Sequence, residues 1–342
     1  MTDLLAARDL VVGVDIGGSK VAVLVVGGDG TAVGRFTLPT AVGGQDQAAD
    51  VIADAVSAAL ADAGAGLDAV SAVGVGVPGR VDPENGSVSL AVNLGWEDLP
   101  LGPRLAARLG SLVVLENDVR AAAFGLHRRR LLGDVDDLAY LSLGTGISAG
   151  VILGGRLHRG TRGLAGEIGH IVLRLDGPLC PCGLRGCFET LAAGPAIARI
   201  AREALAAGRE STLRSLGELV TAADVYEAAA TGDPLAAEIA TEVGRHVARA
   251  VHELVMAYDV EVVVLGGGVS NAGDTFLDPI LRALDVMRDA SPLAREVLRP
   301  GVVHLLPPGS ETGAWGAVAI AEAALEGTWS SAVRPPDEIV EG

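Results

Sequence analysis

The sequence predicts an α/β protein made of two related domains. Short apolar runs alternate with longer stretches of helical periodicity, the pattern of strands and helices packed in layers. A glycine-punctuated strand pair near the N-terminus recurs at 138–155 under one offset: Gly17 falls on Gly144, Gly27 on Gly154 and Gly28 on Gly155. One large unit used twice implies two similar domains rather than a solenoid. The length of 342 residues suits about two domains.

Taken in order, residues 11–16 form an apolar strand that breaks at Gly17-Gly18, and Val21–Val26 form a second that breaks at Gly27-Gly28, a hairpin pattern. Residues 47–63 place Val51, Ile52, Ala55, Val56, Ala59 and Leu60 on one face of a helix. Buried strands follow at 69–77, ending in Pro78-Gly79, and at 112–115, ending in Glu116-Asn117-Asp118. Val119–His127 reads as a helix. The pattern then restarts with strands at 138–143 and 150–153 around Gly144-Thr145-Gly146. Helices are expected at 192–207, 222–231 and 234–258. A strand at Val260–Leu265 runs into Gly266-Gly267-Gly268, another at Val302–Leu305 precedes Pro307-Pro308, and an alanine-rich helix covers 311–326. The tail from Thr328, acidic and with Pro335-Pro336, is expected to be disordered.

The chain is 49% hydrophobic but only 3% aromatic, so Ala, Val and Leu must build the core. A net charge of −17 argues against nonspecific nucleic-acid or anionic-membrane binding. The basic cluster His127-Arg128-Arg129-Arg130 reads as a helix C-terminus. The first ten residues carry acidic groups and no long apolar core, unlike a signal peptide, and no membrane span is expected. With metal-like cysteine spacing, these features point to a reducing, cytoplasmic setting.

All three cysteines lie in the stretch 166–189, as Cys180, Cys182 and Cys187, with His170 upstream and Glu167 and Glu189 bracketing the set. They sit among Gly, Pro and Arg rather than in apolar runs. Three thiolates and an imidazole complete a tetrahedral zinc site, and a closed four-ligand site leaves no position for water, so its role would be structural. The two glutamates are not needed as ligands.

Two glycine turns have the look of phosphate cradles. Gly17-Gly18-Ser19-Lys20 and Gly144-Thr145-Gly146 each expose backbone N–H groups without a Cβ in the way. Neither is a Walker A loop, and either alone would be an ordinary tight turn; as a repeated pair they suggest a clamp on a polyphosphate. Asp15 could hold Mg²⁺ through water. Gly266-Gly267-Gly268 is a third candidate, for the adenosine end.

DIGGSK at 15–20, END at 116–118, GTGISAG at 144–150, GEIGH at 166–170, CPCGLRGCFE at 180–189 and LGGG at 265–268 together resemble the ROK family of repressors, open reading frames and sugar kinases. The likeness covers about 11–326 in the family's order, and the cysteine motif with its upstream GH is its most specific part. The resemblance implies the actin-like, hexokinase-type (ribonuclease H-like) fold with two α/β domains and an interdomain cleft. It places a small domain at 1–119 joined by a final helix at 312–327, and a large domain at 120–311. It further implies ATP, Mg²⁺, a homodimer or homotetramer, and phosphorylation of a sugar hydroxyl.

Carried over position by position, the resemblance makes Asp118 the general base and Asn117 a sugar-hydroxyl ligand. Glu167, His170 and Glu189 become further sugar ligands, with His170 also on zinc, and Asn93 and Gly79 become contacts from the small domain. The residue types agree, because phosphoryl transfer needs positioning, charge neutralisation and a carboxylate to take the hydroxyl proton. Asp118 is also well placed as a helix N-cap. Zinc would then brace the loop so that Glu167, His170 and Glu189 address one substrate. The chain departs from the pattern at Ser148, where family kinases often carry glycine, and at Arg120, where glucokinase-like members commonly carry Asn; Arg120 is expected near the sugar cleft. The leading expectation is a glucokinase-like ATP-dependent hexose kinase, glucose 6-OH first. The alternatives are an amino sugar, another hexose or a cyclitol as acceptor, and a sugar-binding regulator without its DNA-binding module. The regulator is the less expected of these, since the first strand begins near residue 10 and a DNA-binding module is not expected ahead of it.

Overall fold

The structure is a computed structural model that describes residues 9–40, 44–329 and 331–335. The expectations for the first eight residues and for 336–342 lie outside the described residues. The chain divides into two compact units. The first runs to Asp134 and also takes Arg159–Leu164 and the chain from Glu311 onward; the second takes Val135–His158 and Ala165–Ser310.

In the first unit the strands are β1 (Leu10–Ile16), β2 (Lys20–Val26), β3 (Ala32–Pro39), β4 (Val70–Val77), β5 (Arg80–Asp82), β6 (Ser87–Ala91), β7 (Trp96–Leu99) and β8 (Leu112–Asn117). The helices are α1 (Ala48–Asp62), α2 (Leu101–Leu109) and α3 (Asp118–Arg128). The main sheet has the order β3-β2-β1-β4-β8, while β5, β6 and β7 form a small antiparallel sheet. The glycine turns make β1, β2 and β3 an antiparallel meander; β1, β4 and β8 are parallel and need the crossovers that α1 and α2 supply.

The second unit repeats this plan. Its strands are β9 (Leu138–Leu143), β10 (Ile147–Leu153), β11 (Arg156–Leu157), β12 (Val262–Gly266) and β13 (Val303–Leu305), in the order β11-β10-β9-β12-β13. Again the first three are antiparallel and the last three parallel. Its helices are α4 (Glu189–Ala192), α5 (Gly194–Ala206), α6 (Ala222–Ala230), α7 (Pro234–Tyr258), α8 (Asp274–Ala290) and α9 (Pro292–Val297). α6 opens with a Thr221–Asp224 capping box, and α7 starts at Pro234 behind the N-cap Asp233, local signals that fix both N-termini. The duplication read from the glycines is therefore a duplication of sheet topology.

The closing helix α10 (Thr312–Leu325) returns to the first unit. It is buried nearly all round, through Ala314, Gly316, Ala317, Val318, Ala319, Ile320, Ala321 and Ala323. A Cβ at Gly13 on β1 or Gly74 on β4 would collide with the α10 backbone, so glycines let the helix lie directly on the sheet. On its other side α10 meets α3, where a Cβ at Gly125 would stand 2.7 Å from Gly316 Cα. This packing places α3 in the first unit, which therefore extends past the expected boundary at 119 to Asp134. The basic cluster at the end of α3 is absorbed locally: Arg128 pairs with Glu322 and Glu326, Arg129 lies 3.5 Å over the Trp315 ring and Arg130 pairs with Asp134.

The expected disorder from Thr328 is corrected as far as Pro335. Trp329 is buried and packs edge-on against Phe124 at 4.8 Å, and Val333 bridges Val113 through paired backbone hydrogen bonds. The Trp329 indole and the Val333 side chain provide the apolar surface that pins it.

Candidate functional site

In the first unit the candidate residues gather at the C-terminal ends of parallel strands, the usual ligand-facing end of an open α/β sheet. Asp15 on β1 is in register with Gly76 on β4, and Gly76 with Glu116 on β8. Gly76 lies beside two carboxylates: a Cβ there would sit 3.3 Å from Asp118 Cα and 3.7 Å from Asp15 Oδ1. The N-terminal turn of α10 closes the far side, where a Cβ on Gly313 would collide with the Asp15 carboxylate. Part of Asp15 remains open to solvent, but the crowding around its carboxyl and then the nearby Asp118 charge raise its pKa to about 7, with Lys20 opposing. That crowded acidic pair is an environment a divalent cation would stabilise.

Asn117 and Asp118 stand where β8 becomes α3. The N-cap is Asn117, not Asp118: its Oδ1 accepts from Arg120 N at 3.1 Å, which leaves Asp118 as the first helical residue. Asn117 Nδ2 donates to Gly79 O at 3.2 Å and to Asp118 Oδ1 at 3.0 Å, so it orients the carboxylate beside it. Gly79 has φ +97 and its Cβ position is filled by Leu90 O, so backbone conformation and packing both require glycine there. Asn93 is exposed in a single short turn at Val92–Leu94.

Arg120 is 3% exposed, and its backbone N–H sits on the Asn117 side chain. Its Nε donates to Glu116 Oε1 at 2.8 Å and one terminal nitrogen to Gly163 O at 2.6 Å. Glu116, 2% exposed, also accepts from Asn117 N at 2.9 Å and from Arg159 Nε at 2.6 Å. A buried carboxylate with two cations is what satisfies Arg120 away from water.

In the second unit, the turn Gly144-Thr145-Gly146 and Gly266-Gly267-Gly268 lie at the C-terminal ends of adjacent parallel strands, β9 and β12. α5 begins beside them, with Gly194 N donating to Gly144 O at 2.8 Å. Packing accounts for two of the three late glycines: Gly266 faces the Tyr140 ring, and Gly267 has φ +88 with Leu143 backbone against it. Gly144 and Gly268 have no left-handed φ and open space where a Cβ would be, so neither conformation nor packing demands glycine there. The first turn, Gly17-Gly18-Ser19-Lys20, is closed by Gly17 N to Lys20 O and held by Thr40 Oγ1 to Gly17 O, with Gly18, Ser19 and Lys20 exposed.

The loop 166–189 folds onto β10. Ala149 N donates to Gly166 O at 2.8 Å, and Ser148 Oγ reaches the same carbonyl at 3.4 Å. Glu189, at the start of α4, accepts from Ile147 N at 3.0 Å through Oε2, and a Cβ on Gly146 would stand 2.6 Å from that oxygen. Glu167, His170, Glu189 and the second glycine turn are thus brought to one strand.

The ligand atoms of His170, Cys180, Cys182 and Cys187 all lie within 4.8 Å of one another, with Cys180 Sγ 3.6 Å from His170 Nδ1 and Cys182 Sγ 3.6 Å from Cys187 Sγ. Sulfur ligands at about 2.3 Å from a tetrahedral zinc would be spaced similarly. Burial pushes the Cys180 thiol up and the Cys187 thiol up to about 12, whereas the Leu184 backbone N–H lowers Cys182. A divalent cation reverses the cost of ionising such thiols. The donor set of one imidazole and three thiols fits zinc.

Sequence reasoning missed Gly76, Gly313, Glu116 and Arg159. Gly313 lay in plain view but distant from DIGGSK, and no local pattern marks two residues 43 positions apart, such as Glu116 and Arg159, as partners.

The two-sheet α/β fold matches solved ROK kinase structures, and residues 11–324 match the ROK family pattern. The chain belongs to the ROK family. It is 35% identical over 280 residues to the glucokinase of Streptomyces coelicolor, covering 80% of this chain and 86% of that one. It is 36% identical over 264 residues to the N-acetylmannosamine kinase of Yersinia pestis, covering 75% and 82%. The ROK glucokinase of Streptomyces griseus, solved in complex with glucose and AMPPNP, aligns with a TM-score of 0.75 at 34% identity, covering 92% of this chain and 99% of that one. Among the described residues no helix is long and apolar enough to cross a membrane.

Proposed function

We propose that this chain is an ATP-dependent sugar kinase that phosphorylates a hexose hydroxyl, with glucose 6-OH the leading acceptor. The observation that carries the reading is the placement of Asp15 and Asp118 together beside Gly76 at the strand ends, with Asn117 bonded to the Asp118 carboxylate. The acceptor oxygen attacks the γ-phosphorus and its proton passes to Asp118. The bond from that phosphorus to the bridging oxygen breaks, and ADP leaves. Asn117, Glu167, His170 and Glu189, with Asn93 and Gly79, orient the acceptor. The turns at Gly17–Lys20 and Gly144–Gly146 offer N–H groups to the phosphates, and Gly266–Gly268 the nucleoside. The open space at Gly144 and Gly268 supports this, since a closely approaching ligand explains glycine where the fold does not. Asp15 would hold Mg²⁺, which supplies charge neutralisation on the phosphates. His170, Cys180, Cys182 and Cys187 would hold zinc, which braces the loop carrying Glu167 and Glu189.

An amino-sugar acceptor is the second reading, favoured by the similar identity to a N-acetylmannosamine kinase. ADP release measured over a panel of hexoses, amino sugars and cyclitols decides between them. Glucose should give the highest kcat/KM, and Asp118→Asn should lower turnover about 10²–10⁴-fold with every acceptor; a panel in which no acceptor exceeds that variant would refute the kinase reading.

A further inference from the structure

Resting on the reading of Asp118 as the base, we propose that Arg159 is a positioning residue for it, acting through the buried Glu116 carboxylate. A relay of short contacts carries the effect. Arg159 Nε holds Glu116 Oε2 at 2.6 Å; Glu116 Oε1 accepts from Asn117 N at 2.9 Å; Asn117 Nδ2 holds Asp118 Oδ1 at 3.0 Å. Arg120 closes the ring from the other side. Its Nε shares Glu116 Oε1 at 2.8 Å, and its backbone N–H fixes the same Asn117 side chain at 3.1 Å.

Each oxygen of Glu116 therefore has its own guanidinium, and the carboxylate cannot rotate without breaking one pair. With Arg159 gone, Oε2 loses its partner in a nearly dry site, and the carboxylate turns toward Arg120 or toward water. The Asn117 amide N–H then loses a fixed acceptor, and with it the Asn117 side chain loses its register on Asp118.

Arg159 is itself restrained. Its guanidinium lies 4.3 Å over the Trp329 ring, which packs against Phe124 on α3. The segment it starts, Arg159–Leu164, groups with the first unit and is tied at its far end by Arg120 to Gly163 O at 2.6 Å. The short segment is thus fastened at both ends to one carboxylate system, a use that the END motif alone does not suggest.

Four proteins test this: wild type, Arg159→Gln, Asp118→Asn and the double variant. Arg159→Gln should lower kcat roughly 10- to 100-fold, the loss expected when a reacting group is misplaced by about an ångström, with KM for the nucleotide unchanged. In the Asp118→Asn background it should cause no further loss, because both substitutions remove the same oriented carboxylate. Arg159→Lys keeps a cation beside Glu116 and guards against a variant that does not fold; it should show the same pattern at smaller amplitude. Amide hydrogen exchange, which needs no turnover, should speed up at Asn117 and Arg120 in the folded Arg159 variants. A wild type without kinase turnover overturns the base assignment and this role with it. An active wild type with Asn117 exchange unchanged in the variants, or with an Arg159→Gln loss that persists in full beside Asp118→Asn, overturns the role of Arg159 alone.

Discussion

Asp118 and Asp233 show how differently two buried-side carboxylates are used. Asp118 lies beside a second acid whose pKa is raised; Asp233 is surrounded by donors. Burial by itself would raise the pKa of Asp233, but the N–H groups of Ala236 and Thr212 and the hydroxyls of Ser211 and Thr212 overcome it and hold it at about 2. Because the folded value lies below the ordinary 3.8, this carboxylate stabilises the fold above that pH and its contribution is lost as pH falls toward 2. Denaturant titrations between pH 5 and 2, expected pH limits of about that range, should show wild type losing on the order of 2 kcal/mol that Asp233→Asn does not lose. For Asp118→Asn the expected outcome is a kcat lower by about 10²–10⁴-fold with acceptor binding retained, read by steady-state kinetics alongside calorimetry.

The loop 166–189 and helix α10 set the limits of what individual elements revealed in advance. The loop was legible because metal ligands demand particular atoms at short spacing, and the four residues do converge. The glycine hairpins were legible because apolar strands stop abruptly at glycine. β3 was not, since it alternates poorly and exposes Arg35, Phe36 and Thr37; β5–β7 are short and polar-flanked; α8 carries Pro279 inside it. The burial of Arg120 was not legible, because its partner Gly163 comes from a segment that nothing in the local sequence marks. Cys182→Ser should drop zinc from about one equivalent per chain to less than half, measured by metal analysis. The sugar Kd should weaken in step with the metal content. Loss of zinc with unchanged sugar affinity would sever the two.

At the scale of the whole molecule, the repeated sheet order is the main result: two meanders, each continued by two parallel strands, with the candidate phosphate turn always between the first and second strand. Such a duplication was visible in the glycines, while the assignment of α3 and of Arg159–Leu164 to the first unit was not, because it depends on packing between segments distant in sequence. Ligands that bind only the native state raise the melting temperature by mass action. Mg²⁺ with a nonhydrolysable ATP analogue and glucose should each raise it, by an amount growing with the logarithm of ligand concentration, in thermal unfolding monitored by circular dichroism. A shift with neither ligand would count against the nucleotide and sugar sites together.

The chain's three tryptophans occupy three different settings: Trp96 in the core of the first unit, Trp315 beneath Arg129, and Trp329 between Arg159 and Phe124. Trp96→Phe with Trp315→Phe would leave a single tryptophan, under the guanidinium of Arg159. Its emission wavelength and quenching by acrylamide would then report, in solution and in real time, whether that short segment stays fastened while nucleotide and sugar come and go.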